Sequence, residues 1–265
     1  MRNQMILSSG VILGLMGGGI VESMNVLVAS ADDGGTYTTQ AGVTFTPNTN
    51  PTDPVDPDNP DPNKPVNPVD PNDKDPQPGT NGPLSIDYVS DFDFGKQMIT
   101  SSNQTYYAKA QGYKGDTKPT ALYSQVSDSR GNGAGWQLGV KQNSQLNNGK
   151  EDLKGASISI KNLNVNGLSG SDITAPTSGS DITLVPGDGD QTVMSAANGA
   201  GQGTWVSRMG STANLLSEKG TALDGADRTV DKSVSLYVPG ASNKSVANQY
   251  STTLTWTLKD TPANS

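Results

Sequence analysis

The clearest pattern of hydrophobic and polar positions lies near the end of the chain, where residues 250–258 read YSTTLTWTL. All but one of the even-numbered residues in this stretch are apolar or aromatic, and the odd-numbered residues are Ser or Thr. Such alternation predicts a β-strand with one buried face. The same step occurs more than a hundred residues earlier in GWQLGV, at Trp136, Leu138 and Val140. We therefore predict two half-buried strands that each carry a Trp-x-Leu step.

Residues 84–265 contain further short alternating runs, each bounded by Gly, Pro, Asn or Asp. In two of them one face is aliphatic and the other carries Ser, Lys or Tyr, as antiparallel sheets with one wet face require. The aliphatic positions are Ile158, Ile160, Val234, Leu236 and Val238. Many short strands separated by turn signals predict an all-β fold, either an antiparallel β-sandwich or a barrel-like domain with long Gly/Ser-rich loops.

Two segments of this region carry other signals. STANLLSEKGTAL is a modest helix candidate, because Leu215, Leu216 and Leu223 could share one helical face. SGSDIT occurs at residues 169–174 and again at 178–183, which predicts a Gly-rich loop or irregular hairpin, with a carbohydrate- or ion-contacting loop as the alternative. The Asp188 and Asp190 spacing that follows matches the first two ligands of a calcium loop, but the remaining ligands are missing. We predict no metal site and no cofactor.

A proline- and aspartate-rich segment occupies residues 47–83 and contains twelve of the seventeen prolines. Proline excludes both helix and inner strand, and many of these prolines recur every third residue, which is the polyproline II period. We predict an extended, disordered spacer, with a proline-motif ligand for another domain as the alternative.

The first residues indicate export. One Arg precedes a mostly apolar run, and an A-x-A step ends at Ala31. This layout predicts a secretory signal peptide over residues 1–31, and a membrane anchor is the alternative. Residues 32–83 then form a short N-terminal segment and the linker, and residues 84–265 form the β domain. No LPxTG pentapeptide is present, so we expect retention at the surface to depend on binding.

Composition removes several classes of function. The chain has no Cys and no His, which excludes disulfides, thiolate metal sites and the usual catalytic triads. Of the net charge of −8, the segment 47–83 contributes −5, because it has seven Asp and two Lys. The β domain is nearly neutral and has no basic stripe, so nucleic-acid binding is not expected. An enzyme with two carboxylates, such as Asp91 and Asp93, is an alternative that needs a cleft and one raised pKa. We predict no catalytic residues.

The Trp-x-Leu steps allow two interpretations. Trp136 and Trp256 could pack into one core, where truncation of a buried Trp costs about 3–5 kcal/mol. They could instead form a binding face on which sugar rings stack. Alternation favours the core, and Trp205 in GTWVSRMG suits either role.

GWQLGV and YSTTLTWTLKDTP resemble the proximal and distal motifs of WxL-domain surface proteins, which low-GC Gram-positive bacteria secrete. The distal motif is the more specific one, and the order of signal peptide, Pro-Asp spacer and two motifs also matches. The family's distal motif often continues to Ala-Pro, whereas this chain has Thr261 and Pro262.

The resemblance implies a secreted, extracellular protein at the cell wall, with a β-rich C-terminal domain that binds peptidoglycan non-covalently. Other WxL proteins, or a membrane-anchored companion protein, are implied partners. A structural subunit that binds these companions instead of the wall is the alternative. Carried over by motif, wall attachment should depend on Trp136, Leu138, Tyr250, Leu254, Trp256 and Leu258.

Overall fold

A computed structural model describes the chain over residues 36–71, 74–115, 117–168, 171–218 and 227–260. The predicted signal peptide lies outside these residues, as does Leu223 of the helix candidate. Residues 36–44, the described part of a first unit that spans Met1–Thr44, are exposed and form neither strand nor helix. The elements below all belong to a second unit, Phe45–Ser265.

Short strands and turns make up the second unit, and the described residues contain no α-helix. The strands are β1 (Pro68–Val69), β2 (Leu84–Val89), β3 (Gln104–Lys109), β4 (Gly112–Tyr113), β5 (Tyr123–Asp128), β6 (Trp136–Gln142), β7 (Ser157–Ile160), β8 (Leu163–Gly167), β9 (Thr177–Ser178), β10 (Ile182–Leu184), β11 (Gln191–Ala196), β12 (Gly203–Met209), β13 (Leu215–Glu218), β14 (Arg228–Val238) and β15 (Leu254–Lys259).

The strands form three main antiparallel sheets and one two-stranded pair. The motif sheet has the order β15-β6-β11-β9, and the strap sheet has the order β2-β5-β12-β8. A third sheet has the order β10-β7-β14-β13, with β3 also pairing to β14, and β1 pairs with β4. The all-β, antiparallel prediction is confirmed. None of these sheets closes on itself within the described residues, so they do not form the barrel that we gave as an alternative.

One hydrophobic core is shared by the three main sheets. Trp136 of the motif sheet, Val126 of the strap sheet and Ile160 of the third sheet belong to the same buried cluster and are 0% exposed. The aliphatic faces predicted for β7 and β14 are buried, as the alternation indicated. A core of this size is what a domain without disulfides needs for its stability.

The helix predicted over STANLLSEKGTAL is wrong for the residues that the structure describes. A single 3-10 turn, Thr212–Asn214, leads directly into β13, and Leu216 is 41% exposed. β13 pairs with β14 along its full length, from Leu215 opposite Asp231 to Glu218 opposite Arg228. Pairing with β14 overrides a weak helical pattern, since tertiary context outweighs propensity.

The second SGSDIT copy is likewise more regular than the predicted loop. Ile182 is buried and pairs with Ile160, so this copy starts β10. The described part of the first copy, residues 171–174, forms no strand and is exposed.

Part of the proline- and aspartate-rich segment lies against the β domain, where the sequence predicted a disordered spacer. We call residues 53–70 the strap. The strap has no helix, as its prolines require. It turns back on itself at residues 61–64, so that Val66 donates a backbone hydrogen bond to the carbonyl of Pro54. Val55 is fully buried, and Val66 packs beside it. The physical reason is that valines stand between the prolines, and an extended chain can direct them into a neighbouring sheet. The boundaries at residues 31 and 83 remain predictions.

Candidate functional site

The two Trp-x-Leu motifs lie on neighbouring strands of the motif sheet. β6 carries the proximal motif and β15 the distal one, and the two strands pair antiparallel. In this register Leu258 is opposite Leu138, and Trp256 is opposite Val140. The sheet therefore brings together two short motifs that are more than a hundred residues apart in the sequence.

The proximal motif is fully inside the core. Trp136 and Leu138 are both 0% exposed, and the indole Nε1 of Trp136 donates a hydrogen bond of 3.0 Å to the carbonyl of Gly201. A Cβ at position 201 would stand 2.8 Å from that Nε1 and 2.4 Å from the Cβ of Ala196. Gly201 also has a φ of +73°, which favours glycine. The NGAGQG turn thus leaves the space that the indole fills.

The distal motif is only partly buried. Four of its residues pack against the core from its margin: Tyr250, Leu254, Trp256 and Leu258. β15 is an edge strand, since β6 is its only partner strand within the described ranges. Its outer side therefore presents main-chain N–H and C=O groups to the surroundings.

Tyr250 is held by hydrogen bonds just before β15. Its hydroxyl donates to Glu151 Oε1 at 3.2 Å and accepts from the backbone N–H of Ser245 at 3.1 Å. The pKa of Tyr250 is raised, mainly by partial burial and also by its contact with Glu151. These contacts give Tyr250 a role in fixing the chain that enters the distal strand.

The opposite face of the same two strands is polar. Gln137 and Lys141 alternate with the buried residues of β6, and Thr255, Thr257 and Lys259 do so on β15. We call these five residues the outward polar face. Register places Lys141 opposite Thr255 and Lys259 opposite Gln137, so the groups stand side by side.

An ion pair crosses this face. Lys259 Nζ lies 3.0 Å from Asp190 Oδ2, and the Asp190 side chain passes over Gly139. A Cβ at position 139 would be 3.0 Å from the Asp190 Cβ, so a larger residue would push this carboxylate away. Asp190, whose spacing from Asp188 matches a calcium loop, is thus paired with Lys259. No group of three or more acidic, His or Cys residues is placed to hold a metal ion within the described ranges.

Trp205 is placed on the strap sheet and not with the two motifs. It is 7% exposed, its Nε1 donates to the carbonyl of Gln202 at 2.8 Å, and its ring covers Gly167 on β8. This tryptophan fills the space above a glycine in the neighbouring strand.

The two carboxylates considered for catalysis line a small cavity of about 90 Å³ together with Asp70 and Lys109. Burial, and then the charge of Asp91, raise the pKa of Asp70. Sites for organic ligands usually enclose about 300–1,000 Å³. The cavity beside Asp91 and Asp93 is smaller than this range.

Sequence reasoning missed the residues that hold the strap, among them Gln125, Asn166 and Arg208. Each is a polar residue in a strand, which gives no signal by itself. The repeated letters PVDP, at residues 54–57 and 68–71, were the available sign that this segment has a specific contact.

Fold and site together define a class: an all-β domain whose two Trp-x-Leu strands pair within one sheet, with one face in the core and the other polar. The chain belongs to the WxL family of surface cell wall-binding domains, whose family model matches residues 32–262. This match includes both motif strands and the strap. No curated protein and no solved structure matches the chain significantly.

Membership makes this chain a cell-surface protein of a wall-binding family, which is not a family of enzymes. In the part of the chain that the structure describes, we find no helix whose length and hydropathy would let it span a bilayer.

Proposed function

We propose that the protein binds peptidoglycan non-covalently through its C-terminal β domain, and that the outward polar face of the motif sheet makes the contact. Removal of the signal peptide over residues 1–31 precedes this step. The observation that carries the proposal is the pairing of the two motif strands. It places every apolar motif residue toward the core and leaves hydroxyl, amide and ammonium groups on the other side.

The chemistry of this face suits peptidoglycan. Glycan hydroxyls and peptide amides both donate and accept hydrogen bonds, and Thr255, Thr257 and Gln137 can do the same. Lys141 and Lys259 add positive charge that can pair with the carboxylates of peptide stems. A flat array of such groups fits a polymer better than a closed pocket would.

The motif tryptophans and leucines have a positioning role in this proposal. Trp136 is 0% exposed, so it cannot stack on a sugar without unfolding of the strand. Its substitution should weaken wall binding because it destabilises the sheet. The four distal residues support the strand that carries Thr255 and Thr257.

The test is sedimentation of the full mature chain with purified wall sacculi. The double variant Lys141→Ala with Thr257→Val removes an ammonium and a hydroxyl from the outward polar face. We expect its affinity for sacculi to fall by about tenfold or more, which is about 1.4 kcal/mol, with an unchanged near-UV dichroism spectrum. The matched control, Lys161→Ala with Thr183→Val, makes the same changes at exposed residues, one directly after β7 and one in β10, and should bind normally.

Equal binding by both double variants would refute the role of the outward polar face. A wild-type chain that fails to bind bare sacculi would refute direct wall attachment.

The edge position of β15 favours a second function, that of a structural subunit for companion surface proteins. An exposed edge can accept a strand from a partner by main-chain hydrogen bonds. In that case binding to sacculi should appear only after another WxL protein or a membrane-anchored companion is added, and the wild-type chain alone should not sediment.

A further inference from the structure

The strap is held in a groove of the strap sheet by a fully buried side chain. Val55 is 0% exposed and packs in a cluster with Tyr88, Tyr113, Tyr123 and Val206. The rings of Tyr88 and Tyr123 lie 4.8 Å apart between centroids. This aromatic cluster is separate from the main core, and the strap supplies its central aliphatic group.

The side chain of Gln125 pairs with the strap backbone at two points. Its Oε1 accepts from the backbone N–H of Val55 at 2.8 Å, and its Nε2 donates to the carbonyl of Asp53 at 3.0 Å. Gln125 is itself fully buried, and its Nε2 also donates to Asp87 Oδ2 at 2.9 Å. Asp87 accepts further hydrogen bonds from two serine hydroxyls. The Gln125 amide is therefore fixed in the orientation in which it can form hydrogen bonds with an extended backbone.

A second set of contacts holds the end of the same segment. Asn166 Nδ2 lies 3.0 Å from the carbonyl of Pro57 and 3.1 Å from that of Asp58. Arg208 Nη1 forms an ion pair of 2.8 Å with Asp58 Oδ1, and both side chains are partly buried. Arg208 is oriented by a hydrogen bond from its Nε to Asn164 Oδ1. Side chains from three strands, β5, β8 and β12, thus converge on six residues of the strap.

These contacts favour a particular amino-acid sequence in the segment that occupies the groove. Prolines at positions 54 and 57 have no N–H to satisfy, a small aliphatic residue fits between the tyrosines, and an acidic residue faces the arginine. Grooves that bind proline-rich peptides combine aromatic side chains with donors to backbone carbonyls in this way. The letters PVDP return at residues 68–71, where the second copy pairs with β4 and makes a different set of contacts.

We propose that this groove is a recognition site for extended Asp-Pro-Val-Asp-Pro-Asp segments, and that its partner in trans is a second copy of this chain, which exchanges its strap. Between the strap and β2, the side chains of Lys74, Asp75, Gln77 and Pro78 are exposed. Exchange must break the ion pair between Asp75 and Lys114, which the dimer can form again. Exchange of an identical element recreates the same contacts in the dimer, so only the cost of association opposes it. That cost falls when the molecules are concentrated on a surface.

The ion pair between the strap and the groove allows a direct test by charge exchange. Asp58→Arg makes a strap that is repelled by its own groove, and Arg208→Asp makes a groove that repels its own strap. In an equimolar mixture the altered strap of the first chain fits the altered groove of the second. We expect the mixture to form a dimer by sedimentation velocity, at concentrations where each single variant is monomeric or much less dimeric.

The chain that carries both Asp58→Arg and Arg208→Asp is the matched control, because its strap fits its own groove again. It should stay monomeric under the same conditions. A mixture that remains monomeric while both variants show native near-UV dichroism overturns the exchange.

A labelled peptide of residues 51–60 tests the groove without dimerisation. Asp58→Arg weakens the contact between the strap and its own groove, so this chain should bind the peptide about tenfold more tightly than the wild-type chain does. The Arg208→Asp chain should lose binding. Equal binding by all three chains would overturn the groove as a recognition site. None of these changes touches the motif sheet, so sacculus binding should be unaffected, which separates this test from that of the proposed function.

Discussion

Two neighbouring strands of one sheet carry related motifs in different environments. β6 holds Trp136 in the centre of the core, with its indole hydrogen-bonded to Gly201. β15 holds Trp256 at the margin, partly buried, on a strand whose only partner strand among the described residues is β6. The same Trp-x-Leu step therefore stabilises the domain in two ways. The proximal copy fills the core, and the distal copy attaches the last strand of the sheet to it.

The largest effect is expected at the proximal tryptophan. Trp136→Ala should lower the free energy of unfolding by about 3–5 kcal/mol, because it leaves a cavity in the core and removes the hydrogen bond to Gly201. Chemical denaturation of the mature chain measures this. A loss below about 1 kcal/mol would show that this indole does not support the core.

Gly201→Ala tests the space beside that indole. The added methyl group would approach Trp136 and Ala196 closely at a positive φ, so we expect a loss of about 1–3 kcal/mol from overpacking and strain. The control is Gly199→Ala in the same turn, which has a positive φ of +84° but no atom near its Cβ. The difference in denaturation midpoint between the two variants isolates the packing contribution, and equal midpoints would contradict the close contact.

At the distal tryptophan the expected effect is smaller. Trp256→Ala should cost about 1–3 kcal/mol, since the ring is only partly removed from water. Hydrogen exchange should then show faster exchange for the β15 amides than for those of β7 or β14, because an edge strand can separate locally. If Trp256→Ala destabilised the domain more than Trp136→Ala does, the contrast between the two strands would be wrong.

The smallest effect is predicted for the ion pair on the outward polar face. Lys259→Ala should change stability by less than about 1 kcal/mol, because this side chain is half exposed and its pair with Asp190 is screened by water. The change should vanish at high salt, and thermal unfolding at low and high ionic strength checks this. A salt-independent loss would mean that Lys259 contributes through packing of its aliphatic stem.

Local periodicity was sufficient to predict the two motif strands, but not β13, and not which strands are neighbours. The alternation at Trp136 and at Trp256 fixes which side chains face inward. Their pairing joins residues more than a hundred positions apart, and no local pattern encodes it. The fold class could be predicted because many short alternating runs admit few other solutions, whereas sheet order depends on how all the buried faces meet.

The strap shows a different limit of sequence reasoning. Its composition is mostly proline and charged residues, which correctly excludes helix. Composition does not show that a single residue, Val55, is buried. This valine fills a cavity that is built by residues from β2, β4, β5 and β12, and polar side chains hold the chain on either side of it. The candidate wall-binding face could not be predicted from the sequence either. Thr257 and Lys141 carry no signal of their own, and only the strand register places them together.

The pairing of β6 with β15 has a consequence for biogenesis. Until the polypeptide has been made as far as Lys259, the inner strand has no neighbour on that side, and the sheet cannot be completed. Such long-range closure is slow compared with local folding. A chain that is being exported would therefore stay incompletely folded until its last strand has crossed the membrane. It would complete the motif sheet only on the outside of the cell.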